Sequence, residues 1–470
     1  MSVATAPDPP AAFEWRRWPE TESVVNELVR SALAGNAFAS RLAERMVPET
    51  GTIIQNWLDH LVVGAPPSFG SRLIGLGFER QAAPYAVGTP LYAHPGAIFP
   101  RIAHAPSADG GTVVKELAIK VESAAAFSGA HNLGLKLQGY PLGPYRFGRV
   151  TGDATDLVVV ERRGYLGFEA FPSESARQGL MKPHAARDAM AARDLWLARK
   201  RRFDDDAEGF DATERLVDEV IDLAGSRDLA CHLIFEVERD YWQSRNRAAQ
   251  VQKARQDRLG LGWANHDHHT FRCSRRFFPR VMRIFQKLGF ELRERFHAGE
   301  HAGWGAQVLE HPTTGIVIFA DLDLAPDEAA QDFAHHALPD LPKLGTVGLW
   351  VALHGESILE AGMHHLEAQF EFDALRDGLK AEAGVETMAP FSDFPFLRQA
   401  FTAGERWRVA PQRADRAFAS GWITADQRDK FFRDGAIGSH LENLQRREGF
   451  KGFNQQAVSA IIAATDPRLH

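Results

Sequence analysis

The sequence lacks the features of disulfide-stabilised and membrane-spanning proteins. Its 470 residues include only two cysteines, Cys231 and Cys273, which excludes a disulfide framework and fits a reducing compartment. No apolar run approaches the ~18 residues that a membrane-spanning helix needs. Residues 1–10 are small and proline-rich and lack the basic and apolar parts of a signal peptide, so they predict a frayed tail. We therefore expect a cytoplasmic protein without a membrane partner.

The chain also lacks a strong charge of either sign. The formal net charge is −7 and 24% of the residues are charged. A mildly acidic protein gives no electrostatic reason to expect nucleic acid as a partner. With 44% hydrophobic residues the chain is long enough to form two or three domains with a large core.

One pattern of segments occurs twice, about 200 residues apart. It begins with a strand that contains Asp-His (Asp59-His60, then Asp267-His268), continues with a helix and Leu-Gly-Phe-Glu, and ends in further strands. The repeat predicts an α+β fold in which two βαβββ modules form a shared, curled sheet or cup. The expected segments are a helical N-terminal region (1–50), the first module (51–172), a helical insert (173–257), the second module (258–375) and a helical C-terminal region (376–470).

The strand at 265–273 has an unusual polar face. A period of two places His266, His268, Thr270 and Arg272 on one side. An oxygen-activating iron site typically needs two histidines and one carboxylate, with coordination positions left open. We predict His268 as one metal ligand and His60, its counterpart in the first repeat, as another.

The carboxylate is expected on a later strand of the second module. Residues 363–372 place His365, Glu367, Gln369 and Glu371 on one face, although 360–372 also fits an amphipathic helix. Glu367 is the predicted third ligand, and Glu310 on an earlier strand is the alternative. The remaining nearby histidines are expected to support the ligands or to lie at the surface: His266, His269, His364 and His365.

Arg272 has two interpretations. Its guanidinium group is suited to bind a substrate carboxylate, which would make it a catalytic-site residue. Alternatively it forms a structural ion pair with Asp267 or another acid.

The order of these segments resembles the 2-oxoadipate dioxygenase/decarboxylase (2-hydroxyglutarate synthase) family of the vicinal-oxygen-chelate superfamily. The strand Asp267-His268-His269-Thr270-Phe271-Arg272 resembles the family's Asn-His-x-Thr-x-Arg strand. Glu367 is followed by Gln369 and Leu375 at the family's spacing, and residues 391–395 resemble a family turn. Residues 449–454 resemble the start of the gating helix of 4-hydroxyphenylpyruvate dioxygenase, and indicate either a hydrophobic lid or a turn with two packed aromatics.

The resemblance implies a two-module vicinal-oxygen-chelate fold and an Fe(II)-dependent dioxygenase that decarboxylates and hydroxylates a 2-oxo acid. His60, His268 and Glu367 would hold the iron, with Arg272 near the substrate carboxylate. One position departs from the family: Gly64 stands where a substrate-binding arginine is expected, so the identity of the 2-oxo acid stays open.

Other functions fit the same scaffold, because fold does not fix the reaction. The alternatives are a metal-dependent ring-cleaving dioxygenase, lyase or isomerase, and a non-enzymatic ligand-binding protein. A zinc hydrolase is disfavoured because the sequence has neither His-Glu-x-x-His nor paired cysteines. The expected partners are a small 2-oxo acid and O₂, and the expected assembly is a monomer or a homodimer.

Overall fold

The computed structural model describes residues 15–108, 110–169, 185–297, 303–454, 461 and 465–469. The tail predicted at residues 1–10 and most of the predicted helical region after residue 454 lie outside this range. No helix in the described part of the chain is long and apolar enough to cross a membrane.

The first sheet contains seven strands in the order β2-β3-β4-β1-β5-β7-β6. β1, a helix and β2–β4 form a βαβββ unit in which β1 pairs in parallel with β4. β5, a helix, β6 and β7 repeat this plan with one strand fewer, and antiparallel pairing of β1 with β5 joins the two units. The strands are β1 Leu58–Ala65, β2 Glu79–Arg80, β3 Leu91–Ala93, β4 Arg101–Pro106, β5 Val113–Lys120, β6 Tyr145–Val150 and β7 Asp156–Arg162.

The second sheet contains nine strands and two complete βαβββ units. In one unit β8 pairs in parallel with β11, and in the other β12 pairs in parallel with β16. Antiparallel pairing of β8 with β12 joins the units. The strands are β8 His266–Arg272, β9 Glu291–His297, β10 Trp304–Glu310, β11 Val317–Asp323, β12 His365–Gln369, β13 Ser392–Phe394, β14 Leu397–Phe401, β15 Glu405–Trp407 and β16 Ala436–Arg446.

Helices surround both sheets, and those of the insert cover the second sheet. Residues of the helix Arg227–Gln243 share one buried apolar cluster with residues of β8 and of the helix Phe278–Lys287. The described helices are Pro19–Ala34, Ala37–Thr50, Ser68–Gly75, Ala124–Ala130, Ala185–Leu197, Asp206–Ala224, Arg227–Gln243, Arg247–Asp257, Phe278–Lys287, Thr346–His354, Phe372–Ala383, Pro411–Ala419 and Ala425–Asp434.

The predicted fold class is confirmed: the protein is α+β, with two multi-stranded sheets. Each sheet contains two units joined edge to edge where one was predicted, and the second sheet continues to Arg446, beyond the predicted end of the second module at residue 375. The prediction of a helical C-terminal region from residue 376 is wrong, since β13–β16 lie there. β16 lacks the alternation of apolar and polar residues that predicts a strand, because its buried residues include Ser439, His440, Glu442 and Asn443. The sequence pattern therefore does not identify it as a strand.

The repeated Leu-Gly-Phe-Glu segments occupy equivalent turns in the two sheets. Gly77 and Gly289 have φ values of +90° and +99°, and the glutamate two residues later begins β2 or β9. A side chain is strained at such a φ, and a Cβ on Gly289 would lie 2.9 Å from Nε2 of His311. The glycine therefore sets the direction in which the chain enters the next strand.

We expect Gly289→Ala to lower the free energy of unfolding by about 1–3 kcal/mol, because alanine is strained at this φ. Gly75→Ala is the matched control: it lies in a helix, and a Cβ there has open space. The control should change stability by less than about 0.5 kcal/mol. Denaturant unfolding of the three proteins measures both effects, and equal stabilities would contradict the assignment of strain to Gly289.

Candidate metal centre

Pairing of β12 with both neighbouring strands brings polar side chains together in the middle of the second sheet. The antiparallel register sets His365 opposite Thr270 and Glu367 opposite His268. The parallel register on the other side sets Glu442 opposite Glu367. These side chains are buried among apolar layers, where a polar group is costly unless it is paired or binds an ion.

Three of these side chains form a group that can hold a metal. Ligand atoms of His268, His365 and Glu442 all lie within 4.8 Å of one another. Nε2 of His365 lies 3.0 Å from Oε2 of Glu442, and the two imidazole centroids are 5.8 Å apart. Two imidazoles and one carboxylate are the donor set of non-haem Fe(II) oxygenases. The residues present therefore fit a divalent transition metal.

Glu367 orients one of these ligands instead of joining the group. Nδ1 of His268 lies 3.0 Å from Oε1 of Glu367, so this side of the ring faces the carboxylate and Nε2 is the nitrogen left for a metal. The Gln399 amide donates to Oε2 of Glu367 at 3.1 Å and to Glu442 at 3.3 Å. A carboxylate behind a ligand imidazole fixes its tautomer and its direction.

A second possible group consists of Asp267, His268 and Glu367. The guanidinium of Arg446 already lies 3.1 Å from Asp267 and 3.7 Å from Glu367. Because one cation is in place beside these carboxylates, the group with His365 and Glu442 is the better metal site.

The acidic and imidazole side chains of the centre shift one another's pKa values. Burial and repulsion from Glu367 and Asp267 raise the pKa of Glu442 well above its usual range. Burial opposes the charged form of His268, but Glu367 and Asp267 raise the pKa of its imidazole to about 9. At neutral pH Glu442 is therefore protonated and His268 is cationic, and a divalent cation bound at the centre would displace both protons.

A small cavity of about 40 Å³ adjoins the group. Its polar wall contains the three candidate ligands together with Thr270, Asp321 and Gln399. Phe453, from the segment predicted as a lid or packed turn, contacts Phe296 and Phe319 with centroid distances of 5.0 and 5.2 Å. The aromatic wall consists of Phe296, Trp304, Phe319, Phe391, Phe401 and Phe453. A substrate larger than a few water molecules therefore requires some of these rings to move.

Arg272 lies farther along β8, opposite Asp321 of β11. Its side chain is 1% exposed, and its Nε has no hydrogen-bond partner. Among the described residues no carboxylate lies within 4 Å of this guanidinium; Asp267, its predicted alternative partner, pairs with Arg446. Burial lowers the pKa of Arg272 to about 10 against the opposing effect of Asp321, and burial raises the pKa of Asp321 to about 7.

The structure places His60 in the first sheet, in neither of the two candidate groups. Nδ1 of His60 lies 2.7 Å from Oδ2 of Asp59, and its ring contacts Tyr85 and Phe168. Within the described chain it has no contact with His268 or Glu367. His60 is the third residue of β1 as His268 is of β8, but Ala118 stands opposite His60 where Glu367 stands opposite His268.

Gly64 and Glu310, which the sequence linked to the site, also lie away from the group around His268. Gly64 pairs with Ala105 and Val113 in the first sheet, so the missing arginine there does not bear on a substrate at the second sheet. Glu310, the alternative carboxylate, lies at the end of β10 and pairs with Arg293 at 3.1 Å. Neither belongs to the group around His268.

A β-bulge divides the polar face predicted for β8. The register shifts between the pairs Glu367–His268 and Ala368–His266, so Asp267 is the extra residue. Asp267 consequently lies near His268, with 3.5 Å between Oδ2 and Nδ1, while His266 packs against His269 at a centroid distance of 5.0 Å. The expectation that His266 shares a face with His268 is therefore wrong.

Two residues of the candidate group, His365 and Glu442, are not among the ligands predicted from the sequence. His365 was placed on the correct strand face but assigned a supporting role. Glu442 lies in the region expected to be helical. A search for a further βαβββ unit after residue 365 would have found both, since they begin and end that unit.

No protein-family model matches the chain, and no curated protein matches it. Among solved structures, a mutant of 4-hydroxymandelate synthase from Streptomyces coelicolor is 12% identical, covers 88% of this chain and 98% of its own, and has a TM-score of 0.26. The Mn(II)-bound glyoxalase from Novosphingobium aromaticivorans is 9% identical over 83% of this chain and 82% of its own, with a TM-score of 0.18. The 2,2',3-trihydroxybiphenyl 1,2-dioxygenase from Sphingomonas wittichii RW1 is 10% identical over 83% and 90%, with a TM-score of 0.18. Superpositions this loose do not transfer a residue role or an activity to this chain.

We expect anaerobic titration with Fe(II) to show one tightly bound ion per chain. His268→Ala, His365→Ala and Glu442→Ala should each weaken binding by more than the roughly 10- to 100-fold typical of a supporting residue, and Glu367→Gln should fall within that range. Competition with a chromogenic chelator measures the affinities. His60→Ala is the control and should bind iron as the unmodified protein does; loss of iron in that variant alone would refute this ligand set.

Proposed function

We propose that the protein is an Fe(II)-dependent dioxygenase that oxidatively decarboxylates and hydroxylates a small 2-oxo acid, with His268, His365 and Glu442 as the metal ligands. In this reaction a 2-oxo acid and O₂ give CO₂ and a hydroxy acid one carbon shorter. The observation that carries the proposal is the two-histidine, one-carboxylate group beside a small cavity. Arg272, a buried guanidinium without an acidic partner within 4 Å among the described residues, lies on the same strand as His268, opposite Asp321 of the cavity wall.

The iron would supply the redox chemistry that allows O₂ to react with the 2-oxo acid. The chain's own residues position and protect the reactants. The Glu367 carboxylate faces Nδ1 of His268 and so favours the tautomer that leaves Nε2 for the metal. The Gln399 amide donates hydrogen bonds to both Glu367 and Glu442. The aromatic wall gives the cavity an apolar surface, which would limit the access of bulk water to reactive species.

Arg272 is the proposed binding partner for a substrate carboxylate. A buried guanidinium is costly when no anion is close, and a carboxylate can accept two charge-assisted hydrogen bonds from it. Asp321, whose pKa burial raises to about 7, is protonated in part of the molecules at neutral pH. A neutral Asp321 does not repel an anionic substrate, which favours an acid as the ligand of this cavity.

The same donor set serves iron enzymes that open aromatic rings, so the class of substrate needs a direct test. Arg272 favours a carboxylic acid over an uncharged catechol. A non-enzymatic ligand-binding role predicts no O₂ consumption with either class.

We expect the iron-loaded protein to consume O₂ and release CO₂ in equal amounts with at least one member of a panel of 2-oxo acids. An oxygen electrode and a CO₂ assay measure the two rates. His365→Ala and Glu442→Ala should abolish both, because they remove metal ligands, while His60→Ala should retain them. Oxygen uptake with catechols and not with any 2-oxo acid would replace the proposal with ring cleavage.

Replacing Arg272 tests its proposed role separately. We expect Arg272→Met to raise KM for the 2-oxo acid about 10- to 100-fold, which corresponds to the ~1.5–3 kcal/mol of a hydrogen bond to a charged group. Because the guanidinium is buried without an acidic partner, the same change should not lower the melting temperature. Arg202→Met is a control, since that side chain is 83% exposed. A lower melting temperature with an unchanged KM would show that Arg272 is purely structural.

A further inference from the structure

A second cavity, of about 390 Å³, lies between the two sheets. We call it the inter-sheet cavity. Strands β1, β4, β5 and β7 of the first sheet contribute to its wall, and β8, the turn after β10 and the helix Arg227–Gln243 form the opposite side. Its volume is in the range of small-molecule binding sites, whereas the cavity at the metal centre is much smaller.

Four basic side chains line the inter-sheet cavity: Arg101, Lys120, Arg162 and Arg239. One acid in the wall, Asp59, already has hydrogen-bond partners. Oδ2 of Asp59 accepts from Arg162 at 2.8 Å and from His60 at 2.7 Å.

The other two lining acids are also neutralised by groups outside the cavity. Glu122 pairs with Lys253 at 3.0 Å, and Glu310 pairs with Arg293 at 3.1 Å. No lining carboxylate therefore remains to balance the other cations of the wall.

Three of the cations have no acidic partner. Arg101 and Lys120 make no side-chain hydrogen bond or ion pair in the described part of the chain. Arg239 is 3% exposed, and its buried Nε has no hydrogen-bond partner; its Nη1 faces only the ring of His269 at 3.3 Å. Nδ1 of His266, on the same wall, is also buried without a partner.

The concentration of positive charge is energetically unfavourable for the protein by itself. Burial lowers the pKa of the Lys120 ammonium, and Arg162, Arg239 and Arg101 lower it further against the opposing effect of Asp59. Like charges held together in a partly dry cavity repel one another, and an anion placed among them would be attracted by several at once.

The remaining lining fits an organic molecule better than a bare ion. Thr313 and Thr314 add hydroxyl groups, and Phe99 and Trp263 add flat apolar surfaces. We propose that the inter-sheet cavity binds a small organic anion with two or more negative charges, carried by phosphate or carboxylate groups, among Arg101, Lys120 and Arg239. This site is separate from the metal centre, because the bulge at Asp267 turns His266 to the inter-sheet cavity and leaves His268 on the other side of β8.

Calorimetric titration of the full-length protein with pyrophosphate and with citrate tests the site without any metal. At least one of them should bind, more tightly at low than at high ionic strength. Arg239→Met and Lys120→Met should each weaken binding about tenfold or more. Lys343→Met, a change at an exposed lysine outside the cavity, should leave it unchanged.

Preference for pyrophosphate would identify a phosphate-bearing ligand, and preference for citrate a polycarboxylate. Binding of neither anion, or equal binding by all variants, would overturn the proposal.

A second measurement needs no variant and so does not depend on whether the variants fold. An amine-reactive acylating reagent should modify Lys120 in the unmodified protein, and mass spectrometry measures the extent at each lysine. Whichever anion binds should protect Lys120 and leave the reaction of Lys343 unchanged. Equal modification of Lys120 with and without that anion would also overturn the proposal.

Discussion

The antiparallel pairing of β8 with β12 is the constraint on which the candidate centre depends. Because side chains alternate along a strand, a shift of one residue would turn His365 and Glu367 away from His268. β12 also pairs with β16, so the same register that aligns two imidazoles brings in Glu442. The positions of His268, His365 and Glu442 are therefore determined by hydrogen-bonded strands, which are more rigid than a loop. That rigidity suits a site that has to hold a metal in one geometry.

Both cavities contain buried ionisable groups. At the second sheet a protonated Glu442 and a cationic His268 limit the excess of negative charge, whereas guanidinium and ammonium groups outnumber the carboxylates between the sheets. Buried charge of this kind contributes little to stability unless it is paired. Structural ion pairs elsewhere in the chain do satisfy this condition: Glu238 has Arg199 and Arg201 beside it. The basic side chains between the sheets that have no partner among the described residues, and the raised pKa values of Glu442 and His268 at the centre, are better explained by ligands than by folding.

The sequence predicted the fold class, the repeat and two residues of the centre, His268 and Glu367, for identifiable reasons. Asp-His before an amphipathic helix, followed by a glycine that requires positive φ, is a local signal that the structure retains in both sheets. The prediction that His60 accompanies His268 rests on the repeat, which conserves the position of His60 in its strand but not its neighbours: Ala118 lies opposite His60 where Glu367 lies opposite His268. Glu442 was missed because a buried strand with several polar residues resembles a surface segment. Which strands become neighbours depends on tertiary pairing, and no local pattern encodes it.

Because of the bulge at Asp267, β8 separates the inter-sheet cavity from the cavity at the metal centre. His266 belongs to one cavity and His268 to the other, and a single irregular residue connects them. Because His266 and His268 are separated by one residue of the same strand, a displacement of the backbone on one side of β8 would also move the imidazole on the other side. Any such coupling is reciprocal: whatever free energy an anion adds to metal binding, the metal adds to binding of the anion. Residues 266–268 of β8 therefore connect the inter-sheet cavity directly to the cavity at the metal centre.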